Sequence, residues 1–186
     1  MSTATRFIDP RRLPRLAAAL VIACAPAACV EAPLPPPEPP PIEPDGPPVS
    51  FEYETCDGGV LTSASLRGRY TVLAFTATYD LVSQGQVKVL RLLQRDHTPR
   101  VNVAALVIGP PENRPLALAF GQSLGVPFPV ALAGLGALEG RGPFAGVRAV
   151  PSIVILDRDG RIVFRHTGPM DEKPLRAELA RLGAGK

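Results

Sequence analysis

From residue 70 onward, apolar residues recur with two spacings, which predict strands alternating with helices. Two nearly continuous apolar runs, YTVLAFTA at 70–77 and RVNVAALVIG at 100–109, are typical of buried central strands. PSIVILD at 151–157 and RIVFRHTG at 161–168 are separated by the turn residues RDG, and together they predict a β-hairpin.

Three intervening segments have the spacing of helices. LVSQGQVKVLRLLQRD at 81–96 carries apolar residues at intervals of three to five. NRPLALAFGQSLG at 113–125 has Pro115 in its first turn and Gly125 at its C-terminal cap. DEKPLRAELARL at 171–182 is amphipathic, with acids in its first turn and a base near its end.

The remaining segments complete a mixed α/β order. VSFEYET at 49–55 alternates as a strand does, and the turn DGG leads into VLTSASL. The order β-β-β-α-β-α-β-β-α predicts a mixed central sheet with helices on both faces. FPVAL at 128–132 is a further short strand candidate, whereas the glycine-rich segment at 133–149 predicts no element.

The composition changes sharply before residue 49. MSTATRFIDPRRLPR is basic, and LAAALVIACAPAACV after it is apolar but shorter than the ~20 residues of a spanning helix. A basic region followed by a short apolar region predicts a secretory signal peptide over residues 1–23. A buried N-terminal helix is the alternative, but Pro10, Pro14 and Pro26 disfavour it.

Two cysteines lie at the end of the apolar region. VIAC, which ends at Cys24, resembles the bacterial lipobox, and PAAC, which ends at Cys29, resembles it less well because proline replaces the aliphatic residue. The resemblance implies a lipid anchor on Cys24, with Cys29 as the alternative. No aspartate follows either cysteine, which favours the outer membrane over the inner one.

Residues 24–48 are predicted to form a lipid-anchored, proline-rich linker. Proline dominates EAPLPPPEPPPIEPDGPPVS at 31–50, which contains four acids and no base. Such a sequence predicts a disordered, extended tether that holds a domain clear of the membrane. The chain has 20 basic and 17 acidic residues, and removal of residues 1–23 leaves 16 of each. The balanced charge predicts no nucleic-acid binding.

Three segments resemble TlpA-type thioredoxin-like proteins. SLRGRYTVLAFTATYDLVSQGQVKVL at 65–90 is similar to the family's S-L-K-G-K, apolar strand and F-W-A-T-W-C-P-P-C. LGVPFPV at 124–130 and VRAVPSIVILDRDGRIVFRHTG at 147–168 resemble its later motifs, in the same order. The resemblance covers about residues 49–182. It implies a thioredoxin-like domain at 49–186, in a redoxin family of thiol–disulfide oxidoreductases.

The redox loop departs from the family. The alignment places Asp80 at the nucleophilic cysteine, Ser83 at the resolving cysteine and Tyr79 at a tryptophan. Thiol–disulfide exchange needs an attacking thiolate and a second sulfur, and neither residue supplies one. We therefore expect no catalytic residue at these degenerate redox positions. Aspartate is a preferred N-cap residue, so we expect Asp80 to cap the helix that follows.

Pro151 should be the cis-proline that faces this loop, by the same resemblance. In the family, the backbone before that proline pairs with an extended substrate. We therefore expect Val150, Pro151 and Tyr79 to bind an extended polypeptide or an envelope protein. The alternative, which this sequence leaves equally open, is that Pro151 serves only the turn.

Other candidate residues have structural explanations. Cys56 is the only cysteine of the predicted domain and is interpreted as a structural thiol. His97 is expected at a helix C-terminus, where it would interact with the helix dipole, and His166 on the last strand. Asp157 and Asp159 are turn formers. The pattern predicts no metal site and no cofactor.

The sequence thus predicts a monomeric thioredoxin-like module of the cell envelope that lacks redox activity and acts in binding or in a structural role. The alternative function is that of a thiol–disulfide oxidoreductase or peroxiredoxin-like reductase acting through Cys56.

The lipid anchor gives a first test, because the acyl chains attach to one cysteine. Cys24→Ser should abolish incorporation of labelled palmitate and release the protein from membranes without detergent. Cys29→Ser serves as the matched control and should leave both unchanged. If only Cys29→Ser abolishes labelling, the lipid is attached to Cys29. If neither the parent nor the variants incorporate palmitate, the protein has no such anchor and the prediction is wrong.

Overall fold

The computed structural model describes residues 44–184. The predicted signal peptide, Cys24, Cys29 and most of the linker lie outside these residues. Residues 44–184 contain seven strands: β1 Glu52–Glu54, β2 Val60–Thr62, β3 Tyr70–Thr76, β4 Val101–Val107, β5 Val130–Leu132, β6 Ser152–Leu156 and β7 Ile162–Thr167. Three α-helices accompany them: α1 Leu81–His97, α2 Arg114–Ser123 and α3 Glu172–Arg181.

Five strands form the central sheet in the order β5-β4-β3-β6-β7. Strand β3 pairs parallel with β4 and antiparallel with β6, so the sheet is mixed as predicted. The candidate FPVAL contains β5, which forms an edge of the sheet. The hairpin β1–β2 forms a separate two-stranded sheet, and an isolated antiparallel bridge joins Thr55 to Ala131 of β5.

The alternating side chains of the strands divide the core into two clusters. All three α-helices contribute to the first, with residues such as Leu90, Phe120 and Leu175. The opposite face is covered by the β1–β2 hairpin and by short 3₁₀ helices at Ala64–Leu66 and Leu135–Ala137. The predicted mixed α/β fold class is confirmed, but the three α-helices pack on one face of the sheet, and the helices of the other face are 3₁₀ helices.

The glycine-rich segment at 133–149, which predicted no element, contributes to the core. Phe144 is only 1% exposed. Its ring centroid lies 5.2 Å from that of Phe51 and 5.1 Å from that of Phe75. The glycine-rich segment thus packs the Phe144 ring between Phe51, which precedes β1, and Phe75 on β3.

The described chain contacts the sheet before the predicted domain boundary at residue 49. The Asp45 N–H donates to the Ile162 carbonyl at 2.7 Å, in an isolated antiparallel bridge with β7. The Asp45 carboxylate also forms an ion pair with Arg165. Further along the chain, the Val49 N–H donates a hydrogen bond to the Gly160 carbonyl at 2.8 Å. Within residues 44–184, no helix combines the length and apolar character needed to cross a bilayer.

Candidate functional site

The joint between β3 and α1 is organised by one carboxylate. Asp80 has extended backbone angles and occupies the N-cap of α1. Its Oδ1 accepts from the Val82 N–H and its Oδ2 from the Ser83 N–H, both at 3.0 Å. These N–H groups belong to the first turn and have no partner within the helix. The N-cap role predicted for Asp80 is confirmed.

Ser83 connects this cap to the end of β3. Its hydroxyl donates to Asp80 Oδ2 at 2.7 Å and accepts from the Ala77 N–H at 3.1 Å. The side chain is fully buried. Asp80 and Ser83 are therefore brought together as the alignment required, and the contact between them is a hydrogen bond.

The same contacts set the charge of Asp80. The pKa of the Asp80 carboxyl is lowered below its ordinary value. The hydrogen bond from the Ser83 hydroxyl contributes most to this shift, and the hydrogen bonds from the Val82 and Ser83 N–H groups contribute less. A depressed pKa in the folded state stabilises the fold at pH values above the ordinary aspartate pKa. That contribution is lost as the pH falls through the depressed value.

An open apolar groove begins at this joint. Tyr79, Leu81 and Val82 are 85%, 78% and 48% exposed. Val150, Pro151, Gly168 and Pro169 line the same groove. The Val150–Pro151 bond is cis, as the resemblance implied. The three predicted binding residues therefore line one groove.

Hydrogen bonds hold the far wall of the groove around Val150. The Ser152 hydroxyl donates to the Ala149 carbonyl at 2.7 Å, and the Gly168 N–H donates to the Pro151 carbonyl at 2.8 Å. The hydrogen bonds found among residues 44–184 do not include the N–H or C=O of Val150. Val150 thus keeps a backbone donor and acceptor for another chain.

Gln86 is a positioning residue that sequence reasoning missed. The sequence pattern assigns Gln86 no role, yet its side chain is only 2% exposed. Its Nε2 donates to the Met170 carbonyl at 3.1 Å, and its Oε1 accepts from the Met170 N–H at 2.7 Å. The bidentate contact fixes the segment that carries Gly168 and Pro169 against α1. An amide at a buried position of a helix was the only available signal.

Cys56 lies elsewhere, in the turn between β1 and β2. Its N–H donates to the Val130 carbonyl at 2.8 Å, and it borders a pocket with Phe128. The thiol is free and buried. Burial raises its pKa, an effect that Arg114 partly opposes and Asp57 adds to. The thiolate form of Cys56 is therefore disfavoured. Cys56 is also not among the residues that line the groove beside Pro151.

His97 is the last residue of α1, as expected. Burial, together with Arg176 and Arg100, lowers its pKa. Arg176 Nη1 lies 3.1 Å from His97 Nε2, which suits a neutral ring that accepts the bond. The lowered pKa favours this neutral ring, and the interaction of His97 with the helix dipole stays a prediction.

Other predicted residues have the structural environments expected of them. The Asp157 carboxylate accepts from the N–H groups of Asp159 and Arg161, as in a turn. His166 lies on β7, with its Nε2 3.3 Å from the Pro169 carbonyl. No group of three metal-ligating side chains is found in the described part of the chain.

Comparison with known proteins identifies the fold. No protein-family model and no curated protein matches the sequence. Among solved structures, a thiol:disulfide interchange protein of the thioredoxin family from Chlorobium tepidum has a TM-score of 0.64 at 20% identity, over 77% of this chain and 98% of its own. The fold is thioredoxin-like. At this identity, the similarity shows the fold alone.

Two mycobacterial structures have the same thioredoxin-like fold. A secreted Mycobacterium tuberculosis disulfide oxidoreductase, homologous to E. coli DsbE, has a TM-score of 0.58 at 20% identity, over 70% of this chain and 94% of its own. DsbF of the same organism has a TM-score of 0.61 at 23% identity. The match covers 74% of this chain and 96% of DsbF. The thioredoxin-like domain of this chain thus spans almost the whole of each relative.

The Asp80 cap should contribute measurably to stability. Asp80→Ala should lower the free energy of unfolding by about 0.5–2 kcal/mol at neutral pH, because three hydrogen bonds to the carboxylate are lost. The loss should shrink as the pH falls below the ordinary aspartate pKa of about 3.9, where protonation weakens the cap in the parent. Urea denaturation of the detergent-solubilised protein measures both effects.

Asp171→Ala provides a matched control. Asp171 occupies the N-cap of α3, but its side chain makes no capping hydrogen bond. This change should alter stability by less than about 0.5 kcal/mol. Equal losses from the two variants, or a loss at Asp80 that does not depend on pH, would contradict the role given to the carboxylate.

Proposed function

We propose that this protein is a lipoprotein of the bacterial cell envelope whose thioredoxin-like domain binds an extended polypeptide and lacks thiol–disulfide activity. The observation that carries the proposal is the groove itself. Three exposed side chains at the start of α1 face a cis-proline turn in which the Val150 N–H and C=O have no hydrogen-bond partner among residues 44–184.

The chemistry of the joint argues against redox activity. Disulfide exchange proceeds through a mixed disulfide that a second thiol resolves. Asp80 and Ser83 are oxygen-bearing residues that hydrogen-bond to each other and to the backbone. Cys56 is the only cysteine within residues 44–184, and its burial disfavours the reactive thiolate.

The groove has the features that an extended segment needs. The Val150 N–H and C=O can pair with the backbone of a strand laid beside them, as in β-strand addition. Tyr79 offers a large side chain with a polar end, a type enriched at binding hot spots. Leu81 and Val82 would accept apolar side chains from alternate positions of the bound segment.

The sequence supports the proposed location. Its signal peptide and lipobox resemblance favour an anchor at Cys24, facing the periplasm, with the outer membrane preferred. The proline-rich linker then acts as a spacer of about 3.1 Å per residue between lipid and domain. We propose that the protein acts as a monomer whose partner is an unfolded or extended segment of another envelope protein.

A second candidate function is thiol–disulfide exchange. It is favoured by the relatives of the same fold, which include a secreted disulfide oxidoreductase. In this chain, the reaction would depend on Cys56 and on a thiol supplied by another molecule to resolve the mixed disulfide.

Selection of random peptides on the purified mature protein tests the binding function. Enriched peptides should bind in fluorescence anisotropy, and Tyr79→Ala should raise their Kd about tenfold, as expected on loss of an aromatic hot spot. Val60→Ala is the matched control, because Val60 is 56% exposed but lies on β2, outside the groove. Failure to enrich any peptide, or equal effects of the two changes, would contradict the proposal.

A further inference from the structure

Tyr79 separates the groove from a second pocket. This residue lines both, and the two have no other described residue in common. The second pocket has a volume of about 400 Å³ and lies between the start of α1, where Gln84 borders it, and one face of α2. The groove and the second pocket are therefore neighbours on one surface, with the Tyr79 side chain between them.

One face of α2 forms the apolar wall of the second pocket. Leu116, Ala119, Phe120 and Ser123 follow one another at the three- and four-residue spacing that places side chains on the same side of a helix. Phe120 is 6% exposed and belongs to the core, whereas Leu116 is 57% exposed. The wall thus combines an aromatic ring fixed by packing with a leucine side chain that is open to solvent.

Large exposed hydrophobic side chains are concentrated at the groove and the second pocket. Six such side chains are found within residues 44–184, and four of them line one of these two sites: Tyr79, Leu81, Val82 and Leu116. Exposed apolar surface gathered in one place marks an interaction site.

Polar groups beside the apolar wall can bind a polypeptide backbone. Gln84 and Thr78 line the second pocket, and their side chains make no hydrogen bond within residues 44–184. A glutamine amide can donate and accept at once. Gln86 already does so with the N–H and C=O of Met170. Gln84 can hold one residue of a bound chain in the same way.

The charges of the surface define the chemistry of its occupant. Asp80 is the only charged residue among the described residues that line the groove or the second pocket, and its carboxylate accepts three hydrogen bonds within the cap. An acidic side chain bound here would lose water without meeting a cation. A basic side chain would meet a carboxylate that three donors already bind. The surface therefore suits a segment without charged side chains.

We propose that one extended polypeptide crosses Tyr79, with one apolar side chain in the groove beside Val150 and a second against Leu116 and Phe120. The inference rests on the proposed function and specifies its ligand as an uncharged segment with two apolar anchors. Side chains of an extended chain alternate between its two faces, so the anchors are an even number of residues apart. Val150 and Gln84 bind the backbone of the segment on either side of Tyr79.

Truncation of Leu116 tests the second pocket, with the fluorescent peptides selected on the mature protein as probes. Leu116→Ala should raise their Kd about fivefold, because one apolar anchor loses its contact. Leu135→Ala is the matched control and should leave the Kd unchanged. Leu135 is 55% exposed, but it lies in the 3₁₀ helix Leu135–Ala137 and lines neither site.

An alanine scan of a selected peptide locates the two anchors. Replacement at two apolar positions, an even number of residues apart, should each raise the Kd. In the Leu116→Ala protein, one of these replacements should lose most of its effect, because both changes remove the same contact. The other replacement should keep its effect there and lose it in the Leu81→Ala protein.

The results distinguish this inference from the proposed function. If Tyr79→Ala weakens binding but Leu116→Ala behaves like Leu135→Ala, or if the scan finds a single anchor, the further inference alone is overturned. If no peptide is selected on the parent, the proposed function is overturned and the inference falls with it. If sedimentation velocity shows a dimer that Leu116→Ala dissociates, the occupant is a second copy of this chain and the inference is overturned.

Discussion

The Asp80 carboxylate is the contact on which the candidate site depends. It accepts two N–H groups of α1 and the Ser83 hydroxyl, which in turn accepts the N–H of Ala77 beyond the end of β3. Strand end and helix start are thereby joined through side chains. The neighbouring Tyr79 and Leu81 are exposed to solvent. The charged cap therefore joins the two elements directly beside an exposed surface that includes Leu81.

The other half of the groove is built by contacts between distant parts of the chain. Gln86 on α1 binds both backbone groups of Met170, and Ser152 closes the turn that holds the cis-proline. None of these contacts involves sulfur. Oxygen and amide groups of the described residues thus hold the groove of this thioredoxin-like domain.

The elements with a strong local signal were predictable from sequence. Buried strands such as β3 follow from continuous apolar runs, and the Asp80 cap follows from a preferred residue type at a helix start. Phe144 was not predictable as a core residue, because the many glycines in its segment leave no regular spacing of apolar residues. The roles of Gln86 and His97 depend on partners about 80 residues away, at Met170 and Arg176. A sequence pattern carries no information about such pairings.

Hydrogen bonds hold the joint between β3 and α1, and we propose that it carries no redox chemistry. Dithiothreitol-driven reduction of insulin tests it most directly, with the parent, Cys56→Ser and the double variant Asp80→Cys, Ser83→Cys compared side by side. The parent should be no faster than Cys56→Ser, whereas the double variant should form an internal disulfide and gain weak activity, because a helix N-terminus lowers the pKa of the first thiol. Robust turnover by the parent that disappears with Asp80→Ala or Cys56→Ser would contradict the account.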